Sequence, residues 1–138
     1  MLPQPPLARV LLADDDLASR LTVKTILCTA GYTVDCAATS FEAMGRLEDF
    51  EYQLVLADFQ PESEDAALGL LAYARQKDYH PATARISSRL SSESPSPQSD
   101  FSVVSVTDDT VSHLLERVAD LISHRADRQM LRAARQAA

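Results

Sequence analysis

Two short apolar runs in this sequence lead directly into acidic residues. Val-Leu-Leu-Ala precedes Asp14-Asp15-Asp16, and Leu-Val-Leu-Ala precedes Asp58. If both runs are strands of one sheet, several carboxylates gather at one edge, where they repel one another unless a cation joins them. Oxygen ligands of this kind suit a hard ion such as Mg²⁺, which takes one or two carboxylates and keeps its other positions for water and phosphate oxygens. The pattern therefore predicts a divalent-metal site.

These runs belong to a regular alternation of predicted strands and helices. Strands are predicted over residues 9–14, 32–38, 52–58, 83–88 and 101–106, and helices over 16–30, from Thr39 or Ser40 onward, over 64–77 and from Thr107 or Asp108 onward. Such an alternation implies a parallel sheet with helices on both faces. Ligands of open parallel sheets bind outside the carboxyl ends of the strands. The strand ends there carry Asp14, Asp58, Ser87 or Ser88, and Ser105.

Separate predictions apply to the first helix, the last helix and the segment where a fourth helix is expected. Residues 91–100 contain five Ser, two Pro and no apolar side chain, so they are predicted to form a loop where a fourth helix is expected. In the first helix, helical spacing aligns Leu17, Leu21, Lys24 and the pair Leu27-Cys28. The apolar stripe of the last helix predicts packing against the sheet, with a homodimer seam as the alternative. Because this stripe thins past His124, residues 125–138 are predicted to form a helical extension or a tail.

Length and composition limit the class of protein. The 138 residues fit one domain, placed at 7–124 after a flexible lead at 1–6. The net charge of −7 argues against nucleic acid as a direct partner, because phosphate backbones require clustered Lys and Arg. No signal peptide or membrane anchor is indicated. Cys28 and Cys36 lack metal-ligand spacing and are expected to be packed, reduced thiols of a cytoplasmic protein.

Over roughly residues 7–124 the chain resembles the receiver domains of two-component response regulators. In that family an acidic pair after the first strand holds Mg²⁺, and the third strand ends in the phosphoacceptor Asp. The fourth strand ends in Thr or Ser, and the fifth ends in Lys-Pro. The resemblance implies an α/β fold, a flavodoxin-like (βα)5 three-layer sandwich whose five-stranded parallel sheet has the order 2-1-3-4-5. The fourth helix would be shortened or disordered in this chain.

The resemblance also implies a set of site residues. The Mg²⁺ ligands would be Asp14, Asp15, Asp58 and the backbone carbonyl of Gln60. Asp58 would be the phosphoacceptor, and Ser87, in preference to Ser88, would hydrogen-bond a phosphoryl oxygen. Arg20 stands where many receivers carry Arg in the first helix. Asp16 is then expected to cap that helix.

Three departures predict an atypical receiver. Ser105 stands where the family carries Lys, and the only lysines, Lys24 and Lys77, precede the fourth strand. Without that ammonium a phosphoryl oxygen loses a charge-assisted bond worth about 1.5 to 3 kcal/mol, and Arg85 or Arg89 would need an unusual reach to replace it. The turn after the phosphoacceptor carries Pro one position early, and the fourth-helix region is rich in Ser and Pro. We expect weak or absent phosphorylation and signalling through protein contacts.

A second class of function also fits the acidic run. Asp14-Asp15-Asp16 resembles the Asp-x-Asp opening of haloacid-dehalogenase-type phosphatases, with Asp14 as nucleophile and Asp16 as general acid/base. This alternative fits less well, because Ala18 replaces a Thr or Val and no late Lys follows. The receiver interpretation implies a sensor histidine kinase or phosphotransfer protein as donor and a downstream protein or fused output domain as target. It implies no enzyme activity beyond self-phosphorylation and autodephosphorylation.

Overall fold

The fold is described from a computed structural model, which covers residues 8–59, 63–87, 102–105 and 111–137. In chain order the elements are β1 (Arg9–Asp14), α1 (Leu17–Thr29), β2 (Thr33–Ala37), α2 (Ser40–Asp49), β3 (Leu54–Asp58), α3 (Glu64–Arg75), β4 (Ala82–Ser87), β5 (Ser102–Ser105) and α4 (Val111–Ala137). Every strand therefore occupies the part of the chain where the sequence predicts one.

The described strands form one parallel sheet in the predicted order, β2-β1-β3-β4-β5. The apolar sequences of β1 and β3 follow from their places inside this sheet, where both faces are covered. The segment 91–100 and the lead at 1–6 lie outside the described residues. The loop and the flexible lead predicted there stay predictions, as does the placement of the domain at 7–124.

Helices cover both faces of the sheet and divide the core in two. Val10 and Leu12 of β1 pack with α1 and α4 on one face. Leu11 and Ala13 pack with α2 and α3 on the other. This division follows from the strand geometry, since successive side chains point to opposite faces. The arrangement is the predicted three-layer α/β sandwich.

Side-chain caps fix where the first two helices begin. The carboxylate of Asp16 accepts a hydrogen bond from the Ser19 N–H at 2.9 Å. The hydroxyl of Thr39 accepts one from the Glu42 N–H at 3.0 Å. The cap at Asp16 was expected, and Thr39 was one of the two residues expected to begin α2. Each cap is typically worth about 1 kcal/mol. The cap at Asp16 matters more for the arrangement of the strand ends, because α1 begins at Leu17, only three residues after β1 ends at Asp14.

Helix α1 buries only part of the set that its helical spacing aligned. Leu27 is buried, together with Val23, whereas Leu17, Leu21 and Cys28 are exposed. The helix therefore carries apolar residues on two sides, and only the side with Val23 and Leu27 packs into the core.

The environments of the cysteines also differ from each other. Both Cys28 and Cys36 are free. Cys36 is half-buried, and burial raises the pKa of its thiol. Cys28 lies at the surface, so the packed environment expected for it was wrong.

The last helix continues well beyond its apolar stripe. α4 runs through residue 124 to Ala137 without a break. The division of the chain at residue 124 stays a prediction. Arg125 is 9% exposed and donates from Nε to the carbonyl of His80 at 2.9 Å and from Nη2 to the carbonyl of Tyr79 at 2.7 Å. These bonds fasten α4 to the connection before β4. Within the described residues, no helix is long and apolar enough to cross a membrane.

Candidate functional site

Strand register brings predicted site residues to one edge of the sheet. Asp14 ends β1, Asp58 ends β3, and the two are direct partners in the register of these neighbouring strands. Ser87 and Ser105 end β4 and β5 and are partners in the same way. Because the strands are parallel, these four residues share one edge, the carboxyl edge of the sheet.

Asp14 is almost completely buried, with 1% of its surface exposed. Its Oδ1 accepts the N–H of Asp16 at 2.9 Å, while its Oδ2 accepts no hydrogen bond from the described residues. Burial raises the pKa of Asp14, although the Asp16 N–H and the Ser19 hydroxyl oppose this. A buried acceptor without a donor costs about 1–3 kcal/mol, more when it is charged. A bound cation would remove this cost.

Asp58 supplies the second carboxylate of the Asp14–Asp58 pair and is half-buried. Its Oδ2 accepts a hydrogen bond from the Ser19 hydroxyl at 3.0 Å. Burial, and next the charge of Asp14, raise the pKa of Asp58 from 3.8 to about 6. Ionising both members of the pair is therefore unfavourable unless a positive charge joins them.

Two residues of α1 contact this pair. Arg20 was expected near the site, and its Nη1 donates to the backbone carbonyl of Asp14 at 3.0 Å. Ser19 was missed by the sequence interpretation, although its hydroxyl reaches Asp58. The predicted cap at Asp16 could have pointed to Ser19, because the third residue after a cap lies in the first turn of the helix, close to the end of the preceding strand.

The remaining acidic residues and the predicted carbonyl ligand lie in different environments or outside the described residues. Asp15 is exposed, and its charge contributes to the raised pKa values of Asp14 and Asp58. Asp16 is exposed and caps α1, as predicted, rather than joining the pair. Gln60 lies outside the described residues. Asp15 and Gln60 therefore stay predicted ligands.

The Asp14–Asp58 pair fits a Mg²⁺ ion by the chemistry of its donors. The described residues contain no group of three or more His, Cys, Asp or Glu side chains arranged as a metal site. The pair nevertheless offers two carboxylates and a buried oxygen without a donor. Mg²⁺ commonly binds through one or two carboxylates and keeps several waters, so this donor set suffices for it. It would not suffice for a metal that needs four protein ligands.

Arg85 was one of two residues that could replace the missing lysine only by an unusual reach. Nη1 of Arg85 pairs with Oε1 of Glu64 at 2.5 Å, so this guanidinium is engaged elsewhere. Arg89 and Ser88 lie outside the described residues. The backbone of β4 places Ser87 at the carboxyl edge, and its predicted hydrogen bond to a phosphoryl group stays a prediction.

The fold, unlike the sequence, has clear relatives. No protein-family model and no curated protein sequence matches the chain. NtrX from Brucella abortus, solved with ADP, is 18% identical with a TM-score of 0.78, over 93% of this chain and 29% of that one. The chemotaxis response regulator CheY4 of Vibrio cholerae is 20% identical with a TM-score of 0.66, over 83% and 98%. The response regulator TrrA from Thermotoga maritima, solved with Mg²⁺-BeF, is 24% identical with a TM-score of 0.67, over 83% and 99%.

These similarities establish the fold of response-regulator receiver domains for this chain. The chain matches nearly the whole length of CheY4 and TrrA but less than a third of NtrX. CheY4 and TrrA are response regulators, and the comparisons give no support to the phosphatase alternative.

Proposed function

We propose that this chain is the receiver module of a phosphorelay and accepts a phosphoryl group on Asp58 with the help of Mg²⁺. The observation that carries this proposal is the Asp14–Asp58 pair at the carboxyl edge of a receiver fold. One carboxylate has a buried oxygen without a donor among the described residues, and the pKa of the other is raised to about 6. Neighbouring carboxylates in this state favour a bound cation.

The ion would be held by the carboxylates of Asp14 and Asp58, with Asp15 and the backbone carbonyl of Gln60 as further ligands. When bound, Mg²⁺ supplies positive charge that offsets the negative charge of the phosphoryl oxygens. The structure of TrrA with Mg²⁺-BeF supports this assignment, since it shows the same fold in complex with such an ion.

The protein's part in phosphoryl transfer is mainly position and charge. An oxygen of the Asp58 carboxylate attacks the phosphorus of the donor, the bond from phosphorus to the leaving group breaks, and an acyl phosphate forms. The Ser87 hydroxyl would donate to a phosphoryl oxygen. Ser105 offers no positive charge, so a charge-assisted bond worth about 1.5 to 3 kcal/mol is absent. Phosphorylation should therefore be slow or short-lived.

Ionisation of Asp58 sets the pH range of this activity. Because its pKa is raised to about 6 by burial and by Asp14, Asp58 is a poor nucleophile below that pH. The carboxylate form predominates above about pH 7, and a bound cation would extend its range downward. Acceptor activity should accordingly rise with pH through this interval.

The partners follow from this role. The phosphoryl donor would be a sensor histidine kinase or a phosphotransfer protein in the cytoplasm. The target would be a downstream protein or an output domain on the same polypeptide, and the much longer NtrX chain supports the second arrangement. The net charge of −7 argues against direct binding of nucleic acid. Catalysis would be limited to self-phosphorylation and autodephosphorylation.

Incubation with acetyl phosphate and Mg²⁺, followed by intact-mass spectrometry, tests the proposal. The wild type should gain the mass of one phosphoryl group, and EDTA or Asp58→Asn should prevent the gain. Asp49→Asn, at an exposed aspartate that ends α2, is the matched control and should react like the wild type. A wild type that stays unmodified would reject the proposal. Turnover of p-nitrophenyl phosphate that depends on Asp14 would indicate a phosphatase instead.

A further inference from the structure

A second charged cluster lies at the opposite edge of the sheet. A cavity of about 230 Å³ opens between the end of α3, the start of β4 and the outer half of α4. Its polar lining includes Arg75, His80, Arg125, Arg128, Gln129 and Arg132. Among the described residues, no acidic side chain lines this cavity, which is called the amino-edge cavity because it lies where β4 begins.

The cavity is rich in arginine although the chain as a whole carries a net negative charge. Four of its 13 basic residues line this one cavity, although acidic residues number 20. Arg125, Arg128 and Arg132 follow one another at spacings of three and four, which places them on one face of α4. Burial lowers the pKa of Arg125, the charge of Glu51 opposes this, and the charge of Arg128 adds to it. Like charges at these spacings disfavour a helix. A bound anion would relieve this repulsion.

Part of the lining is held in place by hydrogen bonds. Arg125 is buried and bonded to the carbonyls of Tyr79 and His80, and Nε2 of Gln129 also donates to the Tyr79 carbonyl at 3.3 Å. His80 has a φ of 48°, a left-handed conformation that is uncommon outside glycine. The wall formed by the α3–β4 connection is therefore fixed before any ligand arrives, which lowers the entropic cost of binding.

We propose that the amino-edge cavity binds a phosphate group, either as orthophosphate or as the monoester of a small metabolite. Guanidinium groups suit this ligand, because their planar donors match phosphate oxygens in pairs. Pockets that enclose a drug-sized molecule measure about 300–1,000 Å³. The smaller volume here suits a phosphate head group rather than a whole nucleotide. The site is separate from Asp58, which lies at the other end of the strands.

Phosphate titrations of the full chain, followed by ¹H–¹⁵N NMR, test this inference. Sodium phosphate and glycerol 3-phosphate are the two probes, with sodium chloride holding the ionic strength constant and EDTA removing divalent metals. Saturable shifts are expected at the amides of His80, Thr83 and Gln129, and not at Asp58. The EDTA keeps the result independent of the metal-assisted chemistry proposed for Asp58.

Substitutions in α4 test whether phosphate binds in the amino-edge cavity. Arg128→Gln should weaken phosphate binding, and Arg128→Gln with Arg132→Gln should weaken it at least about tenfold, because two charge-assisted contacts are lost. Gln keeps the helix propensity of Arg, so α4 should persist, as circular dichroism would verify. Arg135→Gln removes the same charge from an exposed position of α4 outside the cavity lining and should bind like the wild type.

The outcomes separate the two ligand sources and test the site itself. Tighter binding of orthophosphate identifies the free ion as ligand, and tighter binding of glycerol 3-phosphate identifies a monoester. Shifts that do not saturate, that chloride reproduces, or that persist unchanged in the double variant would overturn the inference.

Discussion

The two edges of the sheet carry opposite charge and hold it in different ways. At the carboxyl edge, strand register fixes Asp14 and Asp58 as neighbours, and both pKa values are raised. At the amino edge, Arg128 and Arg132 extend from the exposed side of α4, and only Arg125 is buried. Carboxylates that cannot separate favour a tightly held cation and a reactive nucleophile. Arginines that can relax into solvent favour reversible binding of an anion.

The largest expected effect comes from removing one member of the Asp14–Asp58 pair. Asp14→Asn deletes a charged metal ligand and leaves a neutral side chain in its place. We expect the Mg²⁺-dependent rate of phosphorylation by acetyl phosphate to fall at least about a hundredfold, measured by quenched intact-mass spectrometry. Asp16→Asn keeps a side-chain acceptor at the cap of α1 and removes only a minor contribution to the raised pKa of Asp14, so it should change that rate by less than about threefold. An equal loss of phosphorylation rate in Asp14→Asn and Asp16→Asn would contradict a special role for the Asp14–Asp58 pair.

The next effect comes from adding a positive charge at the end of β5. Ser105→Lys places an ammonium at the end of β5, where it should make a charge-assisted bond to the phosphoryl group worth about 1.5 to 3 kcal/mol. The amount of acyl phosphate at steady state should rise about tenfold to a hundredfold. Ser102→Lys adds the same charge at the other end of β5 and should give no such gain. No difference between the two variants would contradict the role assigned to position 105.

A thermodynamic effect follows from the raised pKa of Asp58. Because this pKa is about 6 in the folded protein and about 3.9 in the unfolded chain, the folded state binds more protons between these values. The free energy of unfolding should therefore fall as pH rises from about 4 to about 6 and then level off. Since Asp58 is partly exposed, its contribution should be about 1 to 2 kcal/mol rather than the full value of the shift.

Urea unfolding at a series of pH values, without divalent metal, measures this effect. Asp58→Asn should remove that contribution to the pH dependence and be more stable than the wild type above about pH 6. Asp49→Asn should keep the wild-type dependence. If the free energy of unfolding depends on pH in the same way in the wild type and in Asp58→Asn, the raised pKa of Asp58 does not contribute to stability and the prediction is wrong.

Some features of this molecule follow from local sequence and others require the assembled fold. Asp14 and Asp58 could be predicted together, because parallel strands bring their carboxyl ends to one edge. Asp16 could be predicted as a cap, because Asp favours that position. The fold order followed from a resemblance that covers most of the chain.

Other features depend on contacts between distant parts of the chain. Of the residues that helical spacing aligned in α1, Leu27 is buried but Leu17 and Leu21 are exposed, because spacing alone does not decide which side of a helix meets the sheet. The role of Arg125 depends on the carbonyls of Tyr79 and His80, which no local pattern reveals. Such contacts are decided by the way α4 crosses the sheet and not by helical periodicity.

The smallest effect concerns the hydroxyl that touches Asp58. Ser19→Ala removes a hydrogen bond to the ionised carboxylate, so the pKa of Asp58 should rise and the pH profile of phosphorylation should move upward. The rate near neutral pH should fall about twofold to tenfold. Thr22→Ala is the control, because that hydroxyl bonds only to the Ala18 carbonyl on the outer side of α1. Identical pH profiles for the two variants would exclude a role for Ser19.

Asp58 and Mg²⁺ are proposed to form one phosphoacceptor site. ¹⁹F NMR of the protein with beryllofluoride tests it most directly, because beryllofluoride occupies the place of a phosphoryl group on a carboxylate. We predict a resonance of bound fluoride in the wild type when Mg²⁺ is present, and its loss with EDTA, Asp14→Asn or Asp58→Asn. A folded wild type without this resonance, or a resonance that survives Asp58→Asn, would contradict the account.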